Sequence, residues 1–372
     1  MASDIERAIL AAPCNQDRGP QLIDVRHLWA AALLATGLAL ATSAAAAASN
    51  CKMVQIADWP VRSGRGVPLV EGTVNGQKIS SMLDTGAETM ILRPAADRLG
   101  LTRQQARGAR LFGIGGETHV EVTLIDEFKV GQVTRKNLRL PVAGERDFGS
   151  RIDAIVGEDF FEQIDVEFDL PHNAVRLFQP KDCEGVLLAY WATQGASEVE
   201  MEPFYDAGPR IVLTVQINGQ PTRALLDSGS SASVLDKSTA ERLGITLDSA
   251  GVVASGKGGG LGSKLVDFWI APLQSFAIGN ETIQDTTIRF ADLWKDATYA
   301  PTASHLPRKV AGTPSMLLGA DFLRAHRVLV AHSQRKVYFT YEGGPVFQPK
   351  APPESRRAST AQTDTKAGAE AK

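Results

Sequence analysis

Little in this 372-residue chain suggests a metal centre, a nucleic-acid partner or a disulfide-dense scaffold. It has three cysteines and six scattered histidines, with no Cys-x-x-Cys or His-x-x-x-His pair, so spacing gives a metal site no support. The formal net charge is −3 and there is no long basic stretch, so the electrostatic footprint of a nucleic-acid binder is absent. Aromatic residues are only 6% of the chain. Nothing in the composition calls for a cofactor. Glycine, by contrast, is abundant at 34 residues, which leans towards short strands and tight turns.

One long apolar run stands near the start. Residues 28–48 are rich in Ala and Leu, follow Arg26 and His27, and end in five consecutive alanines, Ala44 to Ala48. A charged start, an apolar middle and a small-residue end are the parts of a secretory signal. The run also approaches the ~20 residues that a membrane-spanning helix needs, so an uncleaved anchor is the alternative. The expected location is the periplasm, either free after cleavage or anchored and facing it. The polar residues 1–24 ahead of the run suit translation beginning at Val25, which N-terminal sequencing of the precursor would test. After cleavage only Cys51 and Cys183 remain. In an oxidising compartment they could close a disulfide around the first half, or stay as two thiols; sequence leaves both open.

The strongest signal is internal duplication. Val74-Asn75-Gly76 is followed by Met82-Leu83-Asp84-Thr85-Gly86-Ala87, then Ile91-Leu92 and Leu99-Gly100-Leu101. Ile217-Asn218-Gly219 is followed by Leu225-Leu226-Asp227-Ser228-Gly229-Ser230, then Val234-Leu235 and Leu243-Gly244-Ile245. Asn-Gly between apolar runs is a hairpin signal, so each aspartate is expected at the end of a hairpin's second strand. Further on, Ile155-Val156-Gly157 matches Leu317-Leu318-Gly319, each continuing as Gly-x-Asp-Phe. Strand pairs around 165–178 and 327–340 are expected to close the units. Taken singly, each aspartate would pass for a turn or cap residue. Recurrence of the same landmarks in the same order reverses that.

These two Asp-Thr/Ser-Gly triplets and their apolar-apolar-Gly partners resemble the aspartic peptidases, and more closely the retropepsin-like branch found in bacteria. The resemblance covers about 67–180 and 208–341. It implies an all-β fold of two retropepsin-like lobes, the acid-protease barrel, related by a pseudo-two-fold axis, with a cleft between them. It implies that Asp84 and Asp227 are the catalytic carboxylates. The Thr85 and Ser228 hydroxyls would cross-link the two loops, and Gly86 and Gly229 would permit the tight turns. Gly113-Ile114-Gly115-Gly116 is similar to the tip of a substrate-binding flap, and Ser255–Gly262 is either a second flap or a mobile loop. Protein or peptide is the substrate, hydrolysed without a metal or other cofactor, and one chain supplying both aspartates works as a monomer. The contrasting possibility is a non-catalytic peptide-binding or scaffold protein with the same fold.

Three features depart from the family's viral members. Glu88 stands where they carry an Asp, and the Arg expected soon after the apolar-apolar-Gly is absent, with Glu158-Asp159 and Ala320-Asp321 in its place. Asp159 and Asp321 are expected to start helices. The second unit also carries an insertion around Leu293–Val310. The expected layout is an N-terminal extension with signal or anchor over 1–50 and a first lobe over 51–181. A connector over 182–200, a second lobe over 201–347 and a disordered tail over 348–372 complete it.

Overall fold

The computed structural model describes residues 50–144, 146, 148, 151–203, 209–299, 308–309 and 312–347. The signal or anchor run and the expected disordered tail lie outside these residues. Among the described residues, no helix is long and apolar enough to cross a membrane.

The Asn-Gly pairs turn hairpins as their chemistry requires. Asn75 and Gly76 have φ of 48° and 78°, and Asn218 and Gly219 have 49° and 76°, the doubly positive geometry that follows the twist of paired strands. These turns join Val67–Val74 to Gln77–Leu83 and Val212–Ile217 to Gln220–Leu226.

Each hairpin belongs to a closed ring of six strands. In the first lobe the ring runs Val67–Val74, Gln77–Leu83, Ala154–Val156, Met90–Leu92, Val133–Ala143 and Gly116–Val130, which pairs back to the first strand through Val74↔Phe128. In the second it runs Val212–Ile217, Gln220–Leu226, Met316–Leu318, Val234–Asp236, Glu281–Ala291 and Val266–Ile278, closing through Ile217↔Phe276. The fold is all-β, with two retropepsin-like lobes. The short strands that run beneath the aspartates, Ala154–Val156 and Met316–Leu318, are buried along their whole length, which explains their continuous apolar sequence.

The strands that follow each ring join a sheet that both halves share. Asp165–Asp169 pairs antiparallel with His326–Ala331 through Val166↔Val330, Glu167↔Leu329 and Phe168↔Val328. They form the centre of a six-stranded sheet drawn from both halves, with Lys52–Pro60 at one edge and Ser197–Glu200 at the other. The strand pairs expected around 165–178 and 327–340 are both present, Asp165–Asp169 with Ala174–Lys181 and His326–Ala331 with Lys336–Tyr341, and they join in one shared sheet. Each strand's apolar face is covered by joining a single core, which runs from Phe128 and Val156 to Phe322 and Phe339.

Glu167 is completely buried at the middle of this sheet. Arg176 donates to its Oε1 at 2.5 Å and Arg327, from the other half, at 3.0 Å, so an arginine from each half meets one carboxylate. Arg327 also lies over the Trp191 ring at 4.5 Å, tying the 182–200 segment to the sheet. Cys51 and Cys183 are joined in a disulfide across a sequence separation of 132 residues.

Candidate active site

The two Asp-Thr/Ser-Gly loops meet between the lobes. Each is anchored from below by its own parallel strand pair: the Asp84 N–H donates to the Val156 carbonyl and the Asp227 N–H to the Leu318 carbonyl, both at 2.9 Å. The second residues of the triplets then cross over. Thr85 N–H donates to Ser228 Oγ and Ser228 N–H to Thr85 Oγ1, each at 3.0 Å. Each hydroxyl passes its proton onward, Thr85 to the Leu226 carbonyl at 2.6 Å and Ser228 to the Leu83 carbonyl at 2.8 Å. Both hydroxyls are buried, so every donor and acceptor in this cross-link is satisfied away from water.

Glycine follows for a steric reason. A Cβ on Gly86 would lie 2.7 Å from the Asp227 Cγ, and one on Gly229 would come closer still to the Asp84 Cγ. Each glycine therefore accommodates the carboxyl group of the opposite lobe. Backbone amides hold the carboxylates from their own side: Gly86 N–H donates to Asp84 Oδ1 and Ser230 N–H to Asp227 Oδ1, both at 2.9 Å.

Two carboxyls so close cannot both ionise readily. Burial raises Asp84 above its ordinary value, opposed by hydrogen bonds from Gly86, Asp227 and Gly229. Burial raises Asp227 well above its ordinary value, and the Asp84 charge and the hydrogen bond with that side chain push it further. The pair therefore titrates as a unit, one proton being shared between the two carboxyls.

Glu158 is a third carboxyl that sequence reasoning recorded only as a departure. Burial pushes it up to about 7, against the pull of Arg210, with Glu88, Asp159 and Asp84 adding to the rise. Its Oε2 is buried without a hydrogen-bond partner among the described residues. The second lobe has Ala320 at this position, so the surroundings of the two aspartates are unequal. Glu88 is exposed.

Asp159 and Asp321 lie in the first turns of short helices, Glu158–Phe161 and Ala320–Leu323, but they do not cap them. The N-caps are Gly157 and Gly319, without a side-chain cap bond, and the carboxylates are engaged by the segments that follow the triplets. Thr89 N–H donates to Asp159 Oδ1 at 2.6 Å, and Ser233 donates to Asp321 through both its N–H at 2.8 Å and its hydroxyl at 2.6 Å. Thr89 Oγ1 and Ser233 Oγ in turn accept from Gly157 and Gly319 N–H, each at 2.9 Å. Each aspartate thus fastens the segment that leaves a triplet to the apolar-apolar-Gly turn under it. The only sequence signal was their matching position in the two units.

Gly113, Ile114, Gly115 and Gly116 form the tip of the hairpin between Arg103–Gly113 and Gly116–Val130. The second unit has its own hairpin, Val253–Gly258 against Val266–Ile278, so the Gly-rich stretch there is a second flap-like arm. The two tips touch. Gly260 and Gly262 N–H both donate to the Ile114 carbonyl at 3.1 Å, and Lys264 N–H donates to the Gly115 carbonyl at 3.1 Å. Ile114 packs against the second lobe's cluster that includes Val212, Leu225 and Leu317, while Leu261 packs against the first lobe's cluster that includes Met82 and Ile155. The tips therefore cross above the strands that carry the two aspartates. Among the described residues, no group of three His, Cys, Asp or Glu side chains is placed to hold a metal ion.

A family model described as Aspartyl protease matches residues 70–160 and 213–322, together more than half of the chain and one match on each lobe. No curated protein matches the chain.

Proposed function

The chain belongs to the aspartyl protease family, and we propose that it is a single-chain aspartic endopeptidase whose two working carboxylates are Asp84 and Asp227. The observation that carries this reading is the reciprocal cross-link of Thr85 and Ser228, which brings one carboxyl from each lobe together with one amide-held oxygen apiece. Two carboxyls sharing one proton supply both halves of the chemistry, the arrangement for which aspartic proteases are the standard instance. The ionised member takes a proton from water as it attacks the peptide carbonyl. The protonated member donates to the carbonyl oxygen, so no acyl intermediate on the enzyme is needed.

An extended peptide would lie in the cleft beneath the crossed hairpins. Gly113, Ile114, Gly115 and Gly116 would act as the substrate-binding flap, their backbone groups pairing with the peptide. Because both aspartates come from one chain, the working unit is a monomer. The Cys51–Cys183 disulfide supports export to an oxidising compartment, the periplasm, with the 28–48 run as signal or anchor.

Digestion of a peptide library by the full chain across pH, with and without a pepstatin-like inhibitor, tests this. Inhibitor-sensitive internal cleavage is expected, with activity lost at high pH once the shared proton is gone. Tight peptide binding without any cleavage at any pH would instead make the protein a scaffold with a protease fold.

A further inference from the structure

The roof formed by the crossed hairpins is held by more than its own backbone. The second unit's insertion begins straight after strand Glu281–Ala291 and lengthens a loop that is short in the first unit. Leu293 N–H donates to Asp236 Oδ1 at 3.2 Å and Trp294 Nε1 to the Pro314 carbonyl at 2.9 Å, so the start of the insertion is fixed to the lobe body. From that base Asp296 reaches the place where the tips meet. Its carboxylate accepts from Lys264 Nζ at 2.6 Å, on the second tip. On the first tip, a Cβ at Gly116 would lie 3.1 Å from the Asp296 Cβ and 3.2 Å from its carbonyl oxygen. The corresponding loop of the first unit is short, and there Arg146 donates to the Ser263 carbonyl. Both lobes thus send a charged residue to the second tip, and of Arg146 and Asp296 it is Asp296 that also bears on the first.

We propose that residues 293–297, at the start of this insertion, form a latch: Asp296, through Lys264 and against Gly116, positions the two hairpin tips over the aspartate pair and holds bound peptide beneath them. The assignment rests on the peptidase reading for its consequence, but not for its geometry. Asp296 touches neither the aspartates nor, by its place, the scissile bond; it is a positioning residue. Lys264 is 64% exposed and Asp296 23%, so the pair is screened by solvent and is weak enough to open with each substrate.

Amide exchange and kinetics on the full chain separate the possibilities. The reporters are the amides of Gly260, Gly262 and Lys264, which are protected only while the tips are joined. In Asp296→Ala these amides should exchange about two- to fivefold faster, the range an exposed ion pair can move an equilibrium. KM should rise by a similar factor with kcat little changed, because the contact holds ground state and transition state alike. The double reversal Asp296→Lys with Lys264→Asp should restore both, and high salt should bring the unaltered chain towards Asp296→Ala. Unchanged exchange and KM in Asp296→Ala, or no recovery in the double reversal, would overturn the latch. Exchange that responds in a chain cleaving no library peptide at any pH would retain the latch and refute the peptidase reading.

Discussion

Glu158 shows how one residue can matter without announcing itself. Its neighbours in space, Arg210 and Asp84, come from distant parts of the chain, so nothing local in Gly157-Glu158-Asp159 signals a carboxyl pushed up to about 7. Asp84 and Asp227 were legible because the signal is carried in contiguous triplets and written twice. Asp159 and Asp321 were half legible: the short helices were expected, while the hydrogen bonds from Thr89 and Ser233 depend on which loop lies opposite. Glu158 also gives a pH prediction. The folded chain keeps its proton to about 7, whereas the unfolded chain releases it near the ordinary value of 4.5. Between these values the native state binds more protons, so this group lowers stability as pH rises through the window. Glu158→Gln should therefore be more stable than the parent above pH 7, with the advantage gone below pH 4.5, as read by urea denaturation across that range. An equal difference at every pH would assign the effect to packing instead.

At the scale of elements, the loops and hairpins divide by how local their determinants are. The Asn-Gly hairpins were readable because positive φ at two consecutive residues has few sequence solutions, and Asn75-Gly76 and Asn218-Gly219 are such solutions. The second hairpin, Val253–Gly258 with Val266–Ile278, was ambiguous in sequence because its tip gains order from the other lobe, through Ile114 and Gly115. The closing strands went to a shared sheet for a similar reason. Their apolar pattern fits burial but does not name the partner. The triplet glycines are the sharpest test at this scale. Gly229→Ala would drive its methyl into the Asp84 carboxyl and Gly86→Ala would crowd Asp227, neither position having a positive φ that would strain the backbone by itself. A displacement of order 1 Å at a reacting group costs on the order of 100-fold in rate. Both variants should lose at least that much peptidase activity while retaining the far-ultraviolet circular dichroism of the parent. Near-normal activity in either would show that the carboxyls do not work in the positions described.

The whole molecule is two rings joined by a sheet that neither could complete alone. Asp165–Asp169 and His326–Ala331 pair at its centre, and arginines from both halves converge on Glu167. The Cys51–Cys183 bond closes a 132-residue separation that contains the entire first ring. Sequence left that pairing open, since two cysteines can equally remain thiols, and only the adjacency of Lys52 and Lys181 in paired strands decides it. Replacing both cysteines by serine should lower the unfolding free energy by about 2–5 kcal/mol, measured by denaturant titration, through the longer reach restored to the unfolded chain. A loss near zero would mean that the edge strand already holds the first lobe closed without the bond. The duplication was legible, and with it the two-fold plan. The differences between the halves, Glu158 against Ala320 and the Asp296 insertion against a short loop, gain meaning only from contacts across the cleft. The plan makes one central claim: a single chain builds one catalytic pair from two lobes. Cleavage of a library-selected peptide by Asp84→Asn and by Asp227→Asn, each checked for native folding, tests it most directly. Loss of cleavage in both variants, with folding intact, is the predicted result; full cleavage by either one would contradict the account.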